Sequence, residues 1–144
     1  MIKSAVKEDA GILAELAIKM WDDASISELE QEFEELIVSD KAKCFIKYVD
    51  GIAVGFAQCQ LRTDYVEGTD SSPVGYLEGI FVEDKYRKCG YARELLRECE
   101  NWAKEKLCTE FASDCELVNE ESLRFHMALG FEEVNRIICF KKEI

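Results

Sequence analysis

The sequence predicts an α+β fold in which a central mixed β-sheet is flanked by four helices. Segments of alternating or continuous apolar residues, typical of strands, are interleaved with segments whose apolar residues recur at helical spacing. The resulting order, β-α-α-β-β-β-α-β-α-β-β, favours one sheet covered by helices over an all-helical or all-β architecture. The length of 144 residues fits one domain spanning residues 1–144.

The first part of the chain is predicted to form one short strand and two helices. Residues 2–6 alternate weakly between apolar and polar side chains, as a short strand does. Asp9 is placed to cap a helix whose apolar stripe runs on to Met20. Ser27 followed by Glu30 is a capping-box pattern and is predicted to open the second helix.

A β-hairpin and a glycine-containing strand are predicted for the middle of the chain. Residues 43–49 and 52–62 are predicted strands, and the Asp-Gly pair between them is typical of a tight turn. The polar stretch 63–72 is predicted to be a surface loop at one edge of a site. In the next strand, residues 75–82, an interior glycine indicates a bulge or a close backbone approach.

Two helices and three short strands complete the prediction. Apolar residues at helical spacing from Ala92 to Ala103 indicate a long helix, and Thr109–Cys115 is predicted to be a short strand. A helix over residues 119–129 is predicted to end at Gly130. The last two strands are predicted at Phe131–Val134 and Ile137–Lys141.

The charge balance is strongly acidic. Against 18 Lys and Arg stand 30 Asp and Glu, a net charge of −12. A nucleic-acid partner is therefore not expected, because binding to a phosphate backbone needs a basic face. Such a charge can attract cations to a cleft, although a solvated acidic surface is an equally good interpretation of composition alone.

The cysteines and the N-terminal sequence favour a cytoplasmic protein. The seven cysteines are odd in number and include no C-x-x-C pair, as expected for reduced thiols. No secretory signal or membrane span is expected, because no apolar run is long enough. With His126 as the single histidine and no cluster at ligand spacing, no metal site is predicted.

A turn between a strand and a long helix is the strongest local signal. Residues 87–92, Arg-Lys-Cys-Gly-Tyr-Ala, contain a glycine just before the predicted helix. The unpaired N–H groups of a first helical turn and the helix dipole attract anions, and Lys88 and Arg93 add full charges. The turn suits a pyrophosphate, although a glycine before a helix is more often only a turn.

Two motifs at their expected separation make the chain resemble the GNAT superfamily of N-acetyltransferases. The acyl-CoA signature Arg/Gln-x-x-Gly-x-Gly/Ala is matched by Arg87, Gly90 and Ala92. The second signature, Asn-x-x-Ala/Ser followed by an aromatic residue and then Gly-Phe, is matched by Asn119, Ser122, Gly130 and Phe131. Including the order of elements, the resemblance covers about residues 1–144 and implies a GNAT-like fold.

A narrower resemblance is to the aminoglycoside 6′-N-acetyltransferases of that superfamily. It depends on local strings, which are Lys19-Met20-Trp21, residues 76–82 (YLEGIFV), Ala112-Ser113-Asp114 and residues 122–131 (SLRFHMALGF). The resemblance implies a reaction between acetyl-CoA, as co-substrate, and the 6′-amine of a cationic aminoglycoside, conferring resistance to that antibiotic.

The resemblance also implies which residues bind acetyl-CoA. The pantetheine arm pairs with an exposed strand edge, so backbone groups of Ile80, Phe81 and Val82 contact it, and a backbone N–H there can stabilise the developing oxyanion. The alternative for these three residues is a plain core strand. The implied cofactor-binding residues further along the chain are Arg87, Lys88, Cys89, Gly90, Tyr91, Ala92, Arg93 and Asn119.

Two carboxylates are candidates for handling the amine. Glu78 lies in an apolar strand two residues before Ile80, and Asp114 lies near the end of the next strand. A carboxylate near the thioester can take the amine proton directly or through water. In the related enzymes, acids at these positions bind ammonium groups of the drug. The alternative for both is a solvent-facing acid at a strand end.

Three further residues are expected to contact the acceptor. Trp21, just before two aspartates, is either a core anchor or a wall against a sugar ring, and the resemblance favours the wall. Tyr65 is an aromatic residue in an acidic loop, with an incidental loop residue as the alternative. Asn135 follows a predicted strand at a position where relatives can place a substrate contact.

His126 stands where many superfamily members have a tyrosine that protonates the departing CoA thiolate. A histidine can donate a proton near neutral pH, but a lone histidine on a helix is more often structural, and solvent can serve instead. Cys89 and Cys115 flank the site without an adjacent histidine. Direct transfer in a ternary complex is therefore favoured over a covalent acetyl-cysteine.

The expected activity is acetyl-CoA-dependent aminoglycoside 6′-N-acetylation by a homodimer. The apolar segment 137–140 is expected to pair late strands between two copies. One rival is a GNAT enzyme that acetylates a polyamine or a protein amine. A second rival is a non-catalytic acyl-CoA-binding module, in which Glu78→Gln would have no effect.

Overall fold

A computed structural model describes all 144 residues. Its centre is a five-stranded sheet in the order β1-β2-β3-β4-β5, in which β4 and β5 run parallel and all other neighbours antiparallel. The strands are β1 (Ile2–Ser4), β2 (Ala42–Val49), β3 (Ile52–Arg62), β4 (Val74–Val82) and β5 (Phe111–Ala112). The predicted mixed sheet is confirmed.

Four helices accompany this sheet, as predicted, and α1, α2 and α3 cover its two faces. They are α1 (Ala10–Ala17), α2 (Ile26–Val38), α3 (Tyr91–Glu105) and α4 (Glu120–Ala128). Short 3-10 turns lie at Lys7–Asp9 and Asp84–Tyr86. The buried stripes of α1 and α2 pack around Phe56 on one face, and the stripe of α3 packs around Leu77 and Cys59 on the other. The sheet therefore separates two apolar cores.

Two glycine predictions for the strands are confirmed. At the β2–β3 turn, Asp50 and Gly51 both have positive φ, 51° and 78°, which is the geometry of a tight hairpin turn. In the β3–β4 pair, Gln58 lies opposite Gly79 and Cys59 opposite Leu77. Glu78 is thus an extra residue with no partner in β3. This β-bulge takes its side chain out of the regular alternation of the strand.

The start of α2 differs from the prediction. The capping box is Ser25 with Glu28, not Ser27 with Glu30: the Glu28 N–H donates to Ser25 Oγ over 3.2 Å. Asp9 precedes α1 but does not cap it through its side chain. Its carboxylate accepts hydrogen bonds from the Val6 N–H, at 2.8 Å, and from Lys3 Nζ, at 2.9 Å.

The predicted late strands are wrong for the single chain. Residues 131–144 have no regular secondary structure, and β5 has two residues rather than the span 109–115. A strand needs a neighbouring strand to satisfy its backbone groups, and this segment pairs with none. The side chains of Ile137, Ile138 and Phe140 are 63%, 79% and 90% exposed.

The cysteines divide between the core and the surface, all of them free thiols. Cys44, Cys59, Cys99 and Cys108 are buried, whereas Cys89, Cys115 and Cys139 are exposed. Burial raises the pKa of the Cys44 thiol to about 12. None of the helices has the length and apolar character needed to span a bilayer.

Candidate active site

An open groove follows the edge of β4 that β5 leaves unpaired. β4 pairs with β5 only at Gly75 and Tyr76, so its backbone from Leu77 to Val82 has no strand on that side. The groove has a volume of about 910 Å³ and runs from Trp21 along this edge to the first turn of α3 and to α4. An extended chain with amide groups could add to the open edge as a further strand.

The predicted anion-binding turn lies at one end of the groove. Lys88 and Gly90 have positive φ, 62° and 83°, and α3 begins at Tyr91 with no side chain capping it. The first N–H groups of the helix are therefore free to bind an anion. Of the residues 88–93, all except Cys89 line the groove. Cys89 is exposed, and its thiol donates to the Arg87 carbonyl.

Arg87 connects the end of β4 to the helices around the groove. Its Nε donates to the Val82 carbonyl over 3.0 Å, and its guanidinium pairs with Asp84 at 3.1 Å and Glu121 at 3.5 Å. Because these partners already bind the guanidinium, Arg87 holds the open edge in place beside the turn.

Asn119 faces the groove at the start of α4. Its Oδ1 accepts a hydrogen bond of 3.0 Å from the Ser122 N–H and thereby caps the helix. The amide nitrogen remains available as a donor to a ligand in the groove. Capping thus fixes the side chain whose amide is expected to contact the cofactor arm.

Glu78 forms a two-pronged ion pair with Arg62. The Arg62 Nη2 lies 2.8 Å from one carboxylate oxygen and 3.1 Å from the other, and its Nε also donates, at 3.1 Å. The guanidinium carbon lies 3.5 Å from the centre of the Tyr76 ring. Glu78 still lines the groove, so one carboxylate faces both Arg62 and the space for an acceptor.

Tyr76 holds the second carboxylate. Its hydroxyl donates to Asp114 Oδ2, and Asp114 also lines the groove. Burial and the Asp114 carboxylate raise the pKa of the Tyr76 hydroxyl, so it remains a protonated donor at neutral pH. Sequence reasoning missed Arg62 and Tyr76 as supports of the carboxylates, because the β3–β4 pairing brings Arg62 to Glu78 and the β4–β5 pairing brings Tyr76 to Asp114.

His126 is hydrogen-bonded through both ring nitrogens. Nδ1 lies 2.7 Å from the Ser122 carbonyl and Nε2 lies 2.7 Å from Ser113 Oγ. One neutral tautomer satisfies both contacts, with Nδ1–H donating to the carbonyl and Nε2 accepting from the hydroxyl. The ring lines the groove and joins α4 to the segment after β5.

Trp21 reaches the groove because β4 has no side chain at residue 79. A Cβ atom at Gly79 would lie 2.8 Å from the indole ring. Tyr65 and Asn135, in contrast, do not line the groove within one chain. Tyr65 is 77% exposed, and the Asn135 amide donates to Glu67 over 2.6 Å.

The comparisons with known proteins agree with this geometry. The Acetyltransferase (GNAT) family matches residues 12–131. The aminoglycoside N(6′)-acetyltransferase type 1 of Acinetobacter haemolyticus is 41% identical over 143 residues, covering 99% of this chain and 98% of that protein. The Salmonella typhimurium protein of the same name is 44% identical over 121 residues, or 84% of this chain and 81% of that protein.

Among solved structures, too, this chain is similar to aminoglycoside 6′-N-acetyltransferases. The crystal structure of the 6′-N-acetyltransferase AAC(6′)-IG from Acinetobacter haemolyticus superposes with a TM-score of 0.95 at 39% identity, covering 100% of this chain and 99% of that one. AAC(6′)-Iy in complex with the bisubstrate analogue CoA-S-monomethyl-acetylneamine also gives 0.95, at 38% identity, covering 100% and 98%.

An open strand edge that leads into a helical turn with free N–H groups is the arrangement expected of an acyl-CoA-dependent acyltransferase. The chain belongs to the GNAT acetyltransferase family, and the predicted resemblance is confirmed. It is an N-acetyltransferase with acetyl-CoA as its co-substrate.

Proposed function

We propose that the chain transfers the acetyl group of acetyl-CoA to the 6′-amine of aminoglycosides and thereby confers resistance to them. The observation that carries the proposal is the position of Glu78 and Asp114 in the same groove as the open β4 edge. The acyl donor and a cationic acceptor can therefore meet in one space. The relatives that are 41% and 44% identical bear this activity in their names.

The backbone and the turn divide the binding of acetyl-CoA between them. The diphosphate would lie against the free N–H groups at the start of α3, beside Lys88 and Arg93. The pantetheine arm would pair with the backbone from Ile80 to Val82, at the edge of β4 that no strand covers. A backbone N–H of that edge would stabilise the oxyanion as the thioester carbonyl is attacked.

The acetyl transfer needs a neutral amine. The nitrogen lone pair attacks the thioester carbonyl carbon, the C–S bond breaks, and CoA leaves as a thiolate. Glu78 or Asp114, directly or through a water molecule, takes the proton that the amine loses. The thiolate takes its proton from solvent, or from a protonated His126 whose Nε2–H passes a proton to Ser113 Oγ as the Ser113 hydroxyl gives its own to the sulfur. Cys115 lines the groove without a hydrogen bond to His126, which favours direct transfer.

The proposed activity is tested by release of free CoA thiol from acetyl-CoA and an acceptor panel. We expect turnover with kanamycin A and tobramycin and little with polyamines, which lack a sugar ring to stack on Trp21. Turnover only with polyamines or a protein amine would overturn the aminoglycoside assignment. Tight CoA binding with no turnover on any amine would instead identify a binding module.

We also propose that two copies form a homodimer through residues 131–144. Three large apolar side chains of this segment, Ile137, Ile138 and Phe140, are mostly exposed in the single chain. Pairing with a second copy would cover them and supply the missing strand neighbour. The same contact would give Tyr65 and Asn135 a place near the partner's groove.

Sedimentation equilibrium tests the dimer. We expect the wild type to be a dimer and Ile138→Asp/Phe140→Asp to be a monomer. Leu107→Asp is the matched control, since Leu107 is 85% exposed but lies outside the segment. A monomeric wild type, or a dimer that survives the double substitution, would exclude this interface.

We propose one acetyltransferase domain, residues 1–144, located in the cytoplasm. The matched family region fills most of the chain, and seven free thiols suit a reducing compartment. Fractionation of cells that express the chain with a C-terminal epitope tag tests the location, and a single cooperative unfolding transition tests the single domain.

A further inference from the structure

A second cavity adjoins the groove on the face of the sheet that α1 and α2 cover. Its volume is about 350 Å³, room for roughly ten water molecules at about 30 Å³ each. Trp21 and Glu78 form a wall that it shares with the groove, and Phe33 of α2 forms another side. We call this cavity the α2 recess. The two spaces are therefore neighbours on either side of Trp21 and Glu78.

Gln58 is the buried polar residue of the α2 recess. It is 8% exposed, and its side-chain amide has no hydrogen-bond partner within the chain. No side-chain polar atom that is fully enclosed lacks a partner anywhere in the protein, so the Gln58 amide must border the open space. Its donor and acceptor atoms are therefore free to bind whatever occupies the recess, water or a polar ligand that displaces it.

The rim of the α2 recess is acidic. Asp23, Glu32 and Glu78 line it, and no lysine or arginine does. Glu78 is paired with Arg62, but neither Asp23 nor Glu32 takes part in an ion pair. Two unpaired carboxylates around an amide that can both donate and accept suit a ligand bearing an ammonium group next to hydroxyl groups.

We propose that the α2 recess is a second acceptor subsite, which binds the edge of the aminosugar ring opposite its 6′-amine. Gln58 and Glu32 are its specificity-determining residues, and the 2′-amine is the group they recognise. This inference rests on the proposed function. It adds that the enzyme distinguishes aminoglycosides by the group at position 2′ of the aminosugar ring. Glu78 and Trp21 border both the groove and the recess. When the 6′-amine lies at Glu78, the opposite edge of the ring is placed beside Trp21, at the recess.

Kanamycin A and kanamycin B test the subsite, since they share a 6′-amine but carry a hydroxyl or an amine at position 2′. We expect the wild type to have a higher kcat/KM for kanamycin B. Glu32→Gln should lower that preference by about ten-fold, because it removes a charge-assisted hydrogen bond. Glu35→Gln, the same change of charge at a position of α2 outside the recess, should keep the preference of the wild type.

Gln58→Leu provides an independent test. It should raise the KM for both kanamycins about ten-fold and leave the KM for acetyl-CoA within two-fold. Equal activity with both kanamycins in the wild type, or an unchanged preference in Glu32→Gln, would overturn the subsite. A wild type that acetylates neither kanamycin would overturn the proposed function itself, which is a different result.

Discussion

The guanidinium of Arg62 donates hydrogen bonds to both carboxylate oxygens of Glu78, at 2.8 Å and 3.1 Å. The pair lies on the bulge that removes Glu78 from the regular alternation of β4. The Glu78 carboxylate therefore has a fixed direction toward the groove. A fixed carboxylate can bind an incoming ammonium group without having to reorganise first.

Glu78→Gln should lower kcat/KM for kanamycin A by about 10²-fold, because the substitution removes the negative charge that binds the amine and can accept its proton. The KM for acetyl-CoA should stay within about two-fold of the wild type, since the cofactor turn is untouched. Steady-state kinetics with thiol detection measure both constants. Glu105→Gln, an exposed change on α3, is the control, and a fully active Glu78→Gln would refute this role.

Gly79→Ala should displace Trp21 and raise the KM for kanamycin A by about ten-fold, since its Cβ would lie 2.8 Å from the indole ring. Gly75→Ala is the matched control on the same strand, where a Cβ would meet Phe111 at 2.6 Å and Ala103 at 2.7 Å. Both variants should lose about 1–3 kcal/mol of unfolding free energy. If both raised the acceptor KM equally, the Trp21 wall would be excluded.

Gly90→Ala should raise the KM for acetyl-CoA several-fold. Gly90 and Gly51 have φ of 83° and 78°, and a methyl group added at either residue would meet no other atom within 4 Å. Alanine at either site should therefore cost about 1–2 kcal/mol through backbone strain alone. Only Gly90 adjoins the anion-binding turn, so Gly51→Ala should keep the KM of the wild type. Denaturant unfolding and kinetics on both variants separate stability from binding.

Asp9→Asn should weaken the fold at neutral pH but not in acid. Burial opposes ionisation of Asp9, yet the hydrogen bonds from Lys3 and the Val6 N–H outweigh it and lower the pKa of this carboxyl. A lowered pKa in the folded state stabilises the protein above the usual value near 3.8, and that stability is lost as the pH falls below it. Urea unfolding between pH 7 and pH 3 should show the two proteins converging in acid.

The elements with long periodic patterns were predictable, and the exact start of α2 was not. Two capping patterns overlap in the sequence, Ser25 with Glu28 and Ser27 with Glu30. Both satisfy the local rule, and the structure uses the first, with Ser25 as the N-cap of a helix that buries Leu29 and Phe33. The late strands failed for another reason: apolar residues can favour an extended chain, but the neighbour they pair with is not encoded in the segment itself.

The groove beside β4 and α3 was predictable because the residues that line it there are close together in the sequence. Residues 80–82 and, apart from Cys89, residues 88–93 line this one groove. The acceptor side is assembled from separate strands and helices. Arg62 and Gln58 enter it through the register of β3 with β4, and Tyr76 meets Asp114 through the pairing of β4 with β5. Single-sequence patterns reveal neither pairing.

Because four cysteines are buried and three are exposed, the reactivity of the thiols reports on unfolding. Alkylation with iodoacetamide should modify the exposed Cys89, Cys115 and Cys139 while the chain is folded. The four buried thiols can react only when the chain opens, so mass spectrometry would count unfolded molecules by their extra alkyl groups, without an engineered cysteine. Bound acetyl-CoA should slow alkylation of the four buried cysteines, and the slowing should grow with the fraction of protein that is bound.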